Sequence, residues 1–198
     1  MFRLAVLGST RGTDLQAIID AIKTGQLEAS IEIVISNKAD AYILERAKNH
    51  NLKAFFLDPK GLDREEYDTR LSTMLEQYRP DLILLIGYMK ILSPEFVRRW
   101  KGKIWNVHPS LLPKFAGGIN LNVHQAVLDA GEQETGCTIH EVDEGVDTGK
   151  IILQKKCSVE SSDTADTLKA KVQKLEGEAF IEAITNYVCP CRRHRCFR

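Results

Sequence analysis

Asn106 and His108 stand two residues apart in NVHPSLLPKF, residues 106–115, and Pro109 follows at once. Residues i and i+2 of a strand point to the same face, so an amide and an imidazole project together here. Pro109 has no N–H for a continuing ladder, which places the pair at a strand's end. An amide N–H can stabilise an oxygen that gains negative charge, and an imidazolium can hand it a proton. A carboxylate beside the ring would favour its charged form and fix its orientation. Asp147 in GVDTG is the candidate, because the flanking glycines let the backbone come close. Asp143 and Glu144 compete for the role, and spacing does not choose among the three. The plainer reading of residues 106–115 is a polar strand end that runs into a loop.

A second stretch, GSTRGTD at residues 8–14, has two glycines four apart before a helix that opens at Thr13 or Asp14. Free N–H groups at a helix N-terminus, with the helix dipole, make an anion site. The structural alternative is a glycine turn in which Thr13 or Asp14 caps the helix. The spacing fits neither the dinucleotide fingerprint nor a Walker loop. Ser110 lacks a Gly-x-Ser-x-Gly elbow, which disfavours a serine hydrolase. His140 lies in an apolar strand pattern and reads as a hydrogen-bonded filler, and His50 reads as a surface residue. Cys189, Cys191, His194 and Cys196 are spaced too tightly for the paired-ligand zinc pattern, so no metal is expected. Residues 189–198 are expected to be a disordered tail.

These groups need a frame to bring them together. Apolar runs at Arg3–Leu7, Ile31–Ile35, Ala54–Leu57, residues 81–88 (DLILLIGY) and Ile104–Val107 alternate with helical patterns. Leu15, Ile18, Ile19 and Ile22 repeat at helical spacing, Tyr42–Asn49 forms a short helix, and Asp63 with Glu66 forms a capping box for a helix burying Tyr67, Leu71, Met74 and Tyr78. That alternation predicts an α/β fold: a doubly wound, mostly parallel sheet with right-handed crossovers. CTIHEV and IILQKKC then form a C-terminal β extension, and a long final helix runs from about Asp163 to Val188. Residues 1–188 are read as one domain. In such sheets ligands bind beyond the carboxyl ends of the strands, so segments 8–14, 87–93, 106–118 and 143–149 should converge.

Lys plus Arg and Asp plus Glu each total 27 in 198 residues, so no net charge points to nucleic acid or an anionic membrane. No run approaches a membrane span of about 20 apolar residues. Five cysteines make no disulfide framework; Cys137 and Cys157 read as small buried hydrophobes in a reducing cytosol, and a cytoplasmic location is expected.

GSTRGTDLQAIIDAI, ISNKADA, GYMKILSPEF, NVHPSLLPKF, GCTIH, GVDTGKIILQ and DTLKAKVQKLE occur in this order. Over about residues 1–185 the chain thereby resembles the phosphoribosylglycinamide formyltransferase family, the folate-dependent transformylases of purine synthesis. The resemblance implies a formyltransferase-like Rossmann variant that uses 10-formyltetrahydrofolate as co-substrate. It implies small-molecule substrates, and a monomer or homodimer. It gives Asn106 the oxyanion hydrogen bond, His108 the proton, and Asp147 the carboxylate that keeps His108 charged. Arg64, Met89, Lys90, Ile91 and Leu92, with Asp143, Glu144, Gly145 and Val146, match the folate contacts. Gly12, Thr13 and Asp14 match the phosphate turn, and Gln173 and Glu176 a segment near the amine substrate.

Three departures gather on the acceptor side. The family's phosphate turn ends Gly-Ser-Asn, where this chain has Gly12-Thr13-Asp14. Its Pro-Gly-x-His loop is replaced by the longer FAGGINLNVHQAV, and its Glu-His pair on the last helix by Glu176-Gly177. An ionised Asp14 would repel phosphate unless it caps the helix and points away. The formyl donor is therefore expected to be conventional. Transfer to another amine such as an amino sugar, transfer to water, and folate binding without turnover are the alternatives.

Overall fold

The computed structural model describes residues 1–117 and 122–188, and the readings made for the tail and for residues 118–121 lie outside them. In chain order the elements are β1 (Phe2–Gly8), α1 (Thr13–Lys23), β2 (Ala29–Ser36), α2 (Tyr42–Asn49), β3 (Ala54–Phe56), α3 (Arg64–Tyr78) and β4 (Leu82–Ile86). They continue with α4 (Pro94–Arg99), β5 (Ile104–His108), α5 (Val123–Asp129), β6 (Glu134–Glu141), β7 (Ile151–Ser158) and α6 (Ala165–Val188). All seven strands join one sheet in the order β3-β2-β1-β4-β5-β6-β7. The first five run parallel, and β6 and β7 are added antiparallel.

The apolar strands explain the layering. β4 is buried at every position because helices cover both of its faces. In β1 the alternation divides the core: Leu4 and Val6 pack with Leu15, Ile18 and Phe180 under α1 and α6. Ala5 and Leu7 pack with Tyr67, Leu71 and Phe96 under α3 and α4. The capping box forms as expected, with Glu66 N–H donating to Asp63 Oδ1 at 2.8 Å and Asp63 N–H to Glu66 Oε2 at 3.2 Å.

The strand order reverses between β1 and β4, the place where doubly wound sheets open a crevice. The loops there are tied together: Ser9 N–H donates to the Gly87 carbonyl at 3.1 Å, and Met89 N–H to Ser9 Oγ at 2.8 Å.

Three local expectations need correction. Helices α4 and α5 were not foreseen, being six and seven residues long and too short for periodicity to register. The long final helix starts at Ala165, two residues after Asp163. Neither Thr13 nor Asp14 caps α1. Gly12 is the N-cap, in the left-handed region at φ 65°, with no side-chain hydrogen bond. Only glycine suits this position, since a Cβ there would also lie 2.5 Å from Ile43 Cγ1. No helix among the described residues is long and apolar enough to cross a membrane.

Candidate active site

At the switch point a cavity of about 370 Å³ opens beyond the ends of β1, β4 and β5. All four convergent segments contribute to its wall, and so do Gln173 and Glu176 of α6. Every site residue expected from the sequence lines it except Arg64. Arg64 is exposed on the first turn of α3, where its charge acts on Asp68.

One part of the cavity is a closed polar network. β5 ends at His108, which is buried, and Asp147 Oδ2 lies 3.2 Å from its Nδ1. His108 Nε2 is 3.0 Å from the Phe115 carbonyl oxygen. Both ring nitrogens therefore face acceptors, and only a doubly protonated ring satisfies both contacts at once. Gly117 N–H donates to the same Asp147 Oδ2 at 3.0 Å, so the turn after β5 clasps both members of the pair through its backbone. The hydrogen bond from His108 chiefly, aided by the Gly117 N–H, holds the Asp147 carboxyl well below the usual carboxylate range despite partial burial. Asp147 is non-glycine at φ 57°, a conformation that the GVDTG turn maintains.

The rival carboxylates are engaged elsewhere. Asp143 Oδ1 accepts from Gly145 N–H and Thr148 Oγ1, and Glu144 pairs with Arg98 at 3.2 Å.

His140 corrects the sequence reading. It is no filler, because β6 pairs with β5 in the register that sets His140 opposite Asn106. Its Nδ1 is 3.0 Å from the Glu141 carbonyl and so donates, which leaves Nε2 to accept from Asn106 Nδ2 at 3.1 Å. One Asn106 amide hydrogen is thereby fixed on His140, and the second remains for the cavity. His140 Nε2 also lies 3.5 Å from Asp147 Oδ1. The alternation in CTIHEV gave the strand, but no local pattern gives a cross-strand register.

The folate-matched stretch supplies an apolar rim. Met89, Ile91 and Val146 are exposed large hydrophobics at the cavity wall, whereas Leu92 is buried. Lys90 Nζ sits 4.7 Å from the centre of the Tyr67 ring. Exposed apolar side chains gathered around a concave site suit a flat, partly apolar ligand.

Two further carboxylates line the cavity. Asp14 and Glu176 both line the wall and are only 4% and 8% exposed, and Asp14 Oδ1 has no hydrogen-bond partner. Asp14 thus neither caps α1 nor points away from the cavity. Burial pushes its carboxyl up to about 7. Burial and then the charge of Asp14 push Glu176 up to about 8.

The chain shares its sequence and fold with known proteins. The formyl transferase family model matches residues 2–184. The phosphoribosylglycinamide formyltransferase of Haemophilus influenzae is 45% identical over 181 residues, 91% of this chain and 84% of that protein. A trifunctional purine biosynthetic protein of Drosophila melanogaster is 43% identical over 94% of this chain, which spans 14% of that longer protein. The solved phosphoribosylglycinamide formyltransferase of Coxiella burnetii is 38% identical, with a TM-score of 0.90 over 96% of this chain and 88% of that one. This chain belongs to the formyl transferase family.

Proposed function

We propose that the protein transfers a formyl group from 10-formyltetrahydrofolate to the amine of phosphoribosylglycinamide, a step of purine biosynthesis. The observation that carries this reading is Asp147 bound to His108, with Asn106 beside them, at the switch-point cavity. The identity of 42–45% to phosphoribosylglycinamide formyltransferases over most of the chain supports the choice of reaction. The rim of Met89, Ile91, Leu92 and the 143–147 loop would hold the folate. The α1 N-terminus, with Gly12 and Thr13, would hold the ribonucleotide phosphate.

The donor, when bound, supplies a formyl carbon open to attack by an amine, so that negative charge gathers on the formyl oxygen. Asn106 directs its second Nδ2 hydrogen at that charge, its first being held by His140. His108 offers Nε2–H once the Phe115 carbonyl gives way, while ionised Asp147 keeps the ring oriented through Nδ1. Preorganised donors in a cavity shielded from water act more strongly than they would in solvent.

The test is direct. Purified protein should convert 10-formyltetrahydrofolate to tetrahydrofolate only when phosphoribosylglycinamide is added. Consumption that is unchanged without the amine, or that needs an amino sugar instead, would reject this acceptor.

A further inference from the structure

Asp14 and Glu176 line the same cavity from α1 and α6. Their closeness follows from Gly177, since a Cβ there would stand 2.7 Å from Ala17 Cβ. The glycine lets α1 and α6 approach one turn beyond Asp14. Among the described residues neither carboxylate has a hydrogen bond or an ion pair.

The surroundings do not neutralise the pair. From β6, the Cys137 thiol is pushed up to about 12, chiefly by burial, and stays neutral. From α6, Lys169 is exposed and acts on Glu176 only through its field. From α2, Arg46 is directed to the Arg11 carbonyl at 3.1 Å and to Gln16 at 2.7 Å. Two buried carboxylates without a cation hold one proton between them far more readily than two charges.

We infer that Asp14 and Glu176 form a coupled acidic pair that determines acceptor binding: the singly protonated pair admits the phosphoribosyl amine, and the doubly ionised pair repels it. The inference rests on the acceptor proposed above. A protonated carboxyl offers an O–H donor to the phosphate, whereas two carboxylates offer only acceptors and two negative charges. The retained proton is thus what reconciles an acid at position 14 with a phosphate on the α1 amides. Asp14 acts as a specificity determinant rather than in the chemistry.

The experiment compares the acceptor KM of the wild type with those of Asp14→Asn and Glu176→Gln, at saturating donor. Protonation of the phosphate and of the attacking amine is common to all three proteins, so the ratio to wild type isolates the pair. Loss of one required proton raises wild-type KM about tenfold per pH unit beyond the pair's titration, from about pH 8 upward. Asp14→Asn should lack that rise and bind the acceptor more tightly than wild type at about pH 9, whereas Glu176→Gln, which leaves Asp14 to lose its own proton, should keep a rise. Turnover with wild-type and Asp14→Asn profiles that run parallel overturns the inference and leaves the proposed function standing. Equal loss of acceptor affinity in Asp14→Asn at low and high pH also overturns it. Absence of ribonucleotide-dependent turnover in every protein at every pH rejects the acceptor and the inference together.

Discussion

Two parts of the cavity solve opposite electrostatic problems. Around His108 the polar groups are matched: Asp147 accepts from the imidazole and from the Gly117 amide, His108 has an acceptor at each nitrogen, and His140 accepts from Asn106. At Asp14 and Glu176 two carboxyls are buried with no hydrogen-bond or ion-pair partner among the described residues. A satisfied network holds one geometry, as preorganised catalysis requires. An unsatisfied pair is poised to change state when a ligand or a proton arrives. The lesson is that burial alone does not decide whether an ionisable group is fixed or responsive; its partners do.

The contrast can be broken most sharply at Asp147. Asp147→Asn removes the charge that orients His108 and should lower kcat by roughly 10³-fold, with both KM values nearly unchanged. Steady-state kinetics that show only a few-fold loss would remove the dyad from the centre of the mechanism. The next largest effect belongs to His140. His140→Ala frees the Asn106 amide to rotate and should reduce kcat about 10- to 100-fold. If His140 works through Asn106, the double variant with Asn106→Ala should be no slower than Asn106→Ala alone. Additive losses would mean that His140 has a separate part.

A smaller effect sharpens the Asp14 side without any substrate. Both carboxyls are raised above their unfolded values, so the folded protein binds more protons than the unfolded chain between about pH 4 and 8. Their contribution to stability is complete below the unfolded values and is lost as pH rises through the folded ones. Asp14→Asn removes that loss. Its Tm relative to wild type should therefore be higher at about pH 8.5 than at about pH 5, by roughly 3 °C or more. An equal difference at both pH values would show that the pair is not strained by charge.

Much of this was legible in the chain, for reasons that differ by feature. Uninterrupted runs such as Leu82–Ile86 must be buried on both faces, and that alone implies a covered parallel sheet. The α3 start was written in Asp63 and Glu66, because a capping box is a local reciprocal bond. Asn106 and His108 were found from the two-residue strand period and the proline that stops it. Helix α4 left a local signal that was passed over: Ser93 Oγ accepts from Phe96 N–H at 3.2 Å, and Pro94 follows the cap. What stayed hidden depends on distant pairing. His140 meets Asn106 only through the β5–β6 register, and Asp14 meets Glu176 only through the approach of α1 and α6.

The bare backbone at position 177 also constrains how this enzyme can be rebuilt. Installing any side chain at that site would set its Cβ 2.7 Å from that of Ala17, so a redesign of this part of the cavity must carry the first and last helices as one block. Positions 14, 17 and 177 are in that sense a single module, and exchanging them one at a time would test tolerance to crowding before it tested recognition.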